Sequence, residues 1–251
     1  MADFELTTVV HLVRPTGARA RDLDALREGI AAASDEVIFY HAFQYVLRFH
    51  DADELPHDDF SAWVSGVVQD RETAERLAFA GLSARQTVAE ARAAFVAVLD
   101  SVPERDRRER ASHEAGEFRF HAADSVKVPT GKHLHSVQEL VDHLLVAEPA
   151  CIFYHVIQRP LLEPNATETL EGWVEAQGQP RFAEYLREAS HWGLPLEDVR
   201  QRLVRRWSRG QLKRRLAERT QEPEAMRKRE GQRAVAKLVH RIRRPGGKAS
   251  S

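Results

Sequence analysis

The sequence predicts a mainly α-helical fold with a minor β component. It reads as two tandem homologous helical units, each with one or two short strands, related by a pseudo-two-fold and followed by a C-terminal basic helical extension. Three observations carry this expectation: an internal offset of 114 residues, apolar residues at helical spacing in both copies, and a division of charge near Val199. The marker of the offset is Ile38-Phe39-Tyr40-His41, which recurs as Ile152-Phe153-Tyr154-His155. The same offset carries Phe4 onto Phe118, Pro15-Thr16-Gly17 onto Pro129-Thr130-Gly131, Leu26 onto Leu140 and Gln44 onto Gln158. Residues 4–47 and 118–161 share 12 identities over 44 ungapped positions, where ordinary residue usage gives about three. A repeat of this kind comes first in the reading, because a missed repeat misassigns the whole fold. With small gaps, Trp63-Val64 then meets Trp173-Val174, and Gly81-Leu82 meets Gly193-Leu194.

Each copy reads the same way. A short alternating segment (Phe4, Leu6; Phe118, Phe120) precedes the Pro-Thr-Gly turn, since Pro and Gly punctuate local structure. A helix follows, with Leu23, Leu26 and Ile30 or Val137, Leu140 and Leu144 on one face. The Phe-Tyr-His segment is apolar almost all round in the first copy (Val37, Ile38, Phe39, Phe43, Val46, Leu47), which marks a central, buried helix. Shorter helices are expected around Trp63 and Leu77. A last helix carries Val88, Phe95, Val96 and Leu99, or Val199, Leu203 and Trp207. The expected boundaries are 1–102 for the first unit, 103–117 for a charged linker, 118–209 for a degenerate second unit and 210–251 for the extension. Pro160 is expected to interrupt the central helix of the second unit. Pairing the strands of the two units across the axis would remove exposed edges.

Composition excludes several classes. A hydrophobic fraction of 43% is enough for a core, so wholesale disorder is excluded. No apolar run approaches the ~20 residues of a membrane span. The N-terminus, Met1-Ala2-Asp3-Phe4-Glu5, lacks the basic n-region of a secretory signal, so a cytoplasmic location is expected. The single cysteine, Cys151, reads as a buried small hydrophobe.

Polar chemistry concentrates in the first unit. Tyr40 and His41 lie in the buried helix, with Gln44 one turn on from His41. His50-Asp51 follows, and His57-Asp58-Asp59 opens the next helix, which Asp58 or Asp59 would cap. Tyr40, His41, Gln44, Asp58 and Trp63 are the candidate ligand-binding set. His50, His57 and Asp59 are a candidate metal set, because imidazole and carboxylate donors suit Zn, Fe or Mn; a divalent metal in this unit is the cofactor they imply. The spacing matches no established metal motif. A structural reading stands beside it: one aspartate as N-cap, Phe60 and Trp63 as core, and the recurring His41/His155 and Gln44/Gln158 as buried hydrogen-bonded pairs or contacts between units. No Ser/His/Asp signature, phosphate loop or Cys cluster is present. Trp173, Tyr185, Trp192 and Trp207 are spaced as packing residues rather than as a base-stacking row. His133 and His135 read as a solvated loop.

Ile38-Phe39-Tyr40-His41, His50, Asp58-Asp59-Phe60-Ser61-Ala62-Trp63 and Ala74-Glu75-Arg76-Leu77 together resemble a family of uncharacterised prokaryotic domains of unknown function, marked by Phe-Tyr-His and then Asn-Asp-Phe-Ala-x-Trp. Asp58 stands where that pattern has Asn, and Ser61 where it has Ala. The second unit keeps only Ile152–His155, Gln158 and Trp173. The resemblance supports the fold and implies no activity. Because duplicates divide into an active and a structural half, any site is expected in the first unit.

The formal charge of −1 is two opposite poles cancelling. Residues 199–251 hold 18 Lys and Arg against 4 acidic residues, and residues 1–198 hold 19 against 34. Lys213, Arg214 and Arg215 lie in a first basic helix, and Arg227, Lys228 and Arg229 lead into a second. There Val235, Leu238, Val239 and Ile242 form an apolar stripe flanked by Lys237, Arg241, Arg243 and Arg244. A protein partner or the chain's own acidic surface fits this segment, nucleic acid is an alternative, and a membrane surface fits less well because interfacial Trp and Phe are missing. The expected function is a non-enzymatic binding or adaptor role. The alternative is a metal-dependent enzyme or small-molecule binder using the His/Asp set.

Overall fold

In the computed structural model, which describes residues 3–44, 47, 58–83, 87–112 and 116–221, β1 (Phe4–Ala20) and β2 (Phe118–Leu134) pair antiparallel into a two-stranded ribbon. The strands are longer than the short segments expected, because each runs through its Pro-Thr-Gly. Gly17 (φ +84°) and Gly131 (φ +68°) adopt the left-handed conformation open to glycine. They place Thr16–Ala18 opposite Phe120 and Thr130–Lys132 opposite Leu6, where the register shifts. These are in-strand bulges rather than chain reversals. Each threonine fastens its bulge: Thr16 Oγ1 donates to the Phe120 carbonyl (2.9 Å) and Thr130 Oγ1 to the Leu6 carbonyl (2.8 Å). The N–H groups of Ala18 and Lys132 donate to the same hydroxyls, at 3.2 Å each. From Leu12 to Arg19 and from Val126 to His133 both faces of the ribbon are exposed, so no apolar alternation marks the strand there.

The ladder maps onto itself through the 114-residue offset. Phe4↔Leu134 becomes Ala20↔Phe118, Glu5↔His133 becomes Arg19↔Arg119, and Thr7↔Pro129 becomes Pro15↔His121. His11↔Ser125 becomes itself and marks the centre of the ribbon.

Helices follow each strand. α1 (Leu23–Ala32) buries Leu23, Leu26 and Ile30, with Asp22 capping the Ala25 N–H (2.7 Å). α2 (Asp35–Phe43) buries Val37, Ile38, Phe39, His41, Ala42 and Phe43. α3 (Asp59–Trp63) opens a π-turn at Val64–Val68, and α4 (Arg71–Ser83) and α5 (Val88–Asp100) complete this set. The expected linker contains α6 (Glu104–Glu109). Arg107 pins it, donating to Asp24 (2.8 Å) and the Val102 carbonyl (2.8 Å); that guanidinium holds Asp24 below the usual carboxylate range.

After β2, α7 (Val137–Leu144) buries Val137, Leu140, Val141 and Leu144 under a Ser136 cap. α8 (Pro149–Phe153) passes through a π-turn, Tyr154–Gln158, into α9 (Arg159–Leu162). Pro160 therefore does not interrupt the helix. The wider turn relieves the clash between a proline ring and the carbonyl four residues back. α10 (Leu170–Ala176), α11 (Pro180–Ala189) and α12 (Leu196–Gln221) follow. Residues Met1–Arg206 form one compact unit and Trp207–Ser251 a second. In the second unit, α12 continues with Arg209, Lys213, Arg214 and Arg215 exposed. No helix among the described residues is long and apolar enough to cross a membrane.

The leading half of each strand packs against the helices that follow the other strand. Phe118 lies against Phe60 (5.3 Å between centroids), Trp63 (5.8 Å) and Phe120 (4.9 Å). Phe60, fully buried, also meets Phe95 edge-on at 5.3 Å. On the other side Phe4 lies against Trp173 (5.7 Å), and Leu6 shares an apolar hollow with Leu140, Cys151 and Leu170. Burial pushes the Cys151 thiol up to about 11, which keeps it an un-ionised core residue. The two central helices meet at Phe39 and Phe153, with ring centroids 5.8 Å apart.

Candidate functional site

The bulges free one backbone N–H in each strand, and the recurring histidines take them. His41 Nε2 accepts the His121 N–H (2.9 Å), and His155 Nε2 accepts the Thr7 N–H (2.8 Å). Thr7 and His121 are themselves related by the offset. An imidazole nitrogen that accepts must be unprotonated, so both rings are neutral with the proton on Nδ1. His41 donates that proton to Asp59 Oδ2 (2.8 Å). His155 Nδ1 is buried without an acceptor. Burial, reinforced by the Arg159 charge, lowers His155 to about 3. Both residues are 3% exposed.

The recurring glutamines differ in their partners. Gln158 bridges the central pair, with Oε1 bonded to His11 Nε2 (2.8 Å) and Nε2 donating to Ser125 Oγ (2.8 Å). Burial lowers the pKa of His11, and the Gln158 bond opposes that shift. Gln44 is equally buried, yet its Nε2 has no partner. The Gln44 N–H bonds to the Phe39 carbonyl (3.2 Å), an i→i−5 closure.

Asp58, rather than Asp59, is the N-cap of α3. Its Oδ1 accepts the Ser61 N–H (2.7 Å) and its Oδ2 the Ser61 hydroxyl (2.7 Å). Desolvation raises it to about 6. Trp63 is core, and its Nε1 donates to the Gly116 carbonyl (2.6 Å). Tyr40 is half-buried, edge-on to His41 at 4.8 Å. Within the candidate ligand-binding set, Tyr40 and His41 touch, whereas Asp58 is bonded to Ser61 and Trp63 to the Gly116 carbonyl.

Of the candidate metal set, Asp59 has one oxygen on His41, and His50 and His57 lie outside the described residues. Among the described residues no group of three or more His, Cys, Asp or Glu could hold a metal ion. Of the candidate partner-binding cations, Lys213, Arg214 and Arg215 lie on α12. Arg227, Lys228, Arg229, Lys237, Arg241, Arg243 and Arg244 lie outside the described residues.

Sequence reasoning missed His11, Ser125, Thr7 and His121. The signal was present in arithmetic form. In an antiparallel pair related by a fixed offset, the residue whose partner is its own counterpart sits on the axis, and here that residue is His11.

A two-stranded ribbon clasped between two sets of helices, with a histidine from each set closing a bulge, defines a mainly helical protein organised around its sheet. The chain belongs to DUF5752, a family of unknown function whose model matches residues 1–208. The structure of OrfY from Thermoproteus tenax is similar, with 26% sequence identity and a TM-score of 0.66 over 81% of this chain and 93% of that chain. No curated protein matches the chain.

Proposed function

We propose that the chain is a non-enzymatic binding protein that engages an anionic partner through its basic C-terminal segment. In this reading the remainder is a fused tandem duplication, with units at 1–102 and 118–209, that holds the segment in place. The observation carrying it is the separation of charge: the net charge is −15 over residues 1–198 and +14 over residues 199–251. The exposed cations Arg209, Lys213, Arg214 and Arg215 on α12 belong to the basic pole. Such a field raises the encounter rate with polyanions and makes binding fall with salt. The ring nitrogens of His41 serve the fold, which favours binding over catalysis for that residue. The self-mapping register of the ribbon supports the duplication.

The test is retention of the full chain on an immobilised polyanion across a salt series. Retention that falls steeply with salt is expected, and the combined Arg227→Glu, Lys228→Glu, Arg229→Glu variant should elute earlier. Elution of parent and variant together at the lowest salt overturns the reading.

A further inference from the structure

One surface of the Met1–Arg206 unit alternates aromatic rings and guanidinium groups. Arg206 Cζ lies 4.2 Å from the centroid of Tyr185 and 4.9 Å from that of Trp192. Arg202 Cζ lies 4.6 Å from the same Trp192 ring. The order is Tyr185, Arg206, Trp192, Arg202. Helical spacing builds it: Arg202 and Arg206 are one turn apart on α12, and Tyr185 and Glu188 one turn apart on α11. Trp192 stands in the turn between these helices, before Gly193 at φ +61°.

The two guanidinium groups of this ladder differ. Arg206 is tethered by Glu188 at 2.8 Å, which fixes the inner guanidinium between two rings. Arg202 is exposed and has no carboxylate partner among the described residues. A guanidinium stacked on an indole commits one face and keeps its N–H edge for a phosphate. As an exposed residue, Arg202 can receive another flat group. Arg205, exposed and bonded to Gln201 Oε1 (2.9 Å), supplies a second cation three residues along the same helix.

We propose that Tyr185, Arg206, Trp192 and Arg202 form a stacking platform for single-stranded nucleic acid, with a base extending the ladder beyond Arg202 and phosphates on the edges of Arg202 and Arg205. The proposal rests on the anionic-partner reading and deepens it by naming the partner class. Flat alternating groups suit unpaired bases, which present a π-face whatever their identity. A duplex keeps its bases stacked inside, and acidic protein side chains or lipid phosphates would use the charge without the rings.

The test measures binding of the full chain to a fluorescent U-rich RNA 12-mer by anisotropy. Trp192→Leu should weaken binding on the order of 10-fold while leaving its salt dependence unchanged, because it removes stacking and no charge. Trp192→Phe, which keeps a ring, should restore most of the loss. Arg202→Gln, a change at an exposed position, should weaken binding and reduce the salt slope by about 0.7, the single-strand value for one phosphate contact. The Arg71→Gln variant, far along the chain, should match the parent. Equal binding of a duplex, of polyglutamate or of anionic vesicles, or an unaffected Arg202→Gln variant, overturns the platform and leaves the anionic-partner reading standing. Failure to bind any polyanion overturns both.

Discussion

The two histidine segments perform the same backbone task with different support. His41 and His155 each accept an N–H that a bulge has freed from the ladder. His41 also donates a hydrogen bond from its Nδ1–H to Asp59. When Trp63 is aligned with Trp173, the counterpart of Asp59 is Thr169, whose hydroxyl caps the Gly172 N–H (3.2 Å) instead. The glutamines invert the pattern. Gln158 holds the central His11–Ser125 pair, and the Gln44 amide nitrogen is idle. Only one glutamine can occupy the bond to a shared central pair, so a self-mapping ladder still yields unequal halves. The backbone cap is what both segments keep; the carboxylate and the amide bridge are additions made by one side each.

The sharpest way to break this comparison is to remove the histidines in turn. His41→Ala strands the His121 N–H, removes one bond to Asp59 and opens space among Phe60, Phe118 and Phe120, at a cost of about 3–5 kcal/mol. His155→Ala strands only the Thr7 N–H and relieves an orphaned donor, so its cost should be smaller by ~1–2 kcal/mol. Denaturant midpoints at unchanged slope measure both. Equal losses would mean that Asp59 adds nothing.

Acid separates the halves next. The His155 pKa is lowered in the fold to about 3, so the unfolded chain takes up a proton first as pH falls below the usual histidine value. Its stabilisation is complete above that value and is lost on the way down to about 3. The Asp58 pKa is raised to about 6, so the folded chain takes up that proton first. Its stabilisation is present below the usual aspartate value and is lost as pH rises through about 6. Between roughly pH 4 and 6 the two slopes oppose, each about 1.4 kcal/mol per pH unit. Relative to the parent, His155→Gln should gain stability as pH falls through this window and Asp58→Asn should lose it. Parallel curves for all three proteins would show that neither group titrates as the fold demands.

The smallest difference concerns the glutamines. Gln158→Leu leaves His11 and Ser125 without their bridge and should cost ~1–2 kcal/mol, whereas Gln44→Leu should lie within about 0.5 kcal/mol of the parent or above it. Thermal unfolding of the pair decides this, and a Gln44→Leu loss as large as that of Gln158→Leu would refute an idle amide.

Much of the helical framework was legible. Apolar spacing located α1 and α7 through Leu23, Leu26, Ile30 and Val137, Leu140, Leu144, because a 3.6-residue period marks which face is buried. The same period is silent on which body does the burying, so the packing of Phe118 against Phe60 and of Phe4 against Trp173 was not readable. Pro-Thr-Gly looked like a reversal because proline and glycine punctuate turns; only the cross-strand register distinguishes a bulge. At the candidate site the recurrence of His41 is visible in the sequence, but its bond to Asp59 is not, because one carboxylate and one imidazole look the same in sequence whether they bind each other or an ion. Trp173 and Trp207 are buried, as their spacing implies, whereas the contacts of Arg202 and Arg206 with the Trp192 ring leave no periodic trace in the sequence.

The exchange of leading half-strands sets an order on synthesis. Phe118 and Phe120 complete the pocket around Phe60, Phe95 and His41. A nascent chain ending before residue 118 therefore carries helices whose aromatic centre has no filling. At about 5–20 residues per second, that interval lasts some seconds before the second strand is made. The N-terminal helices then wait for a segment encoded later, and Phe4 and Leu6 wait for helices later still.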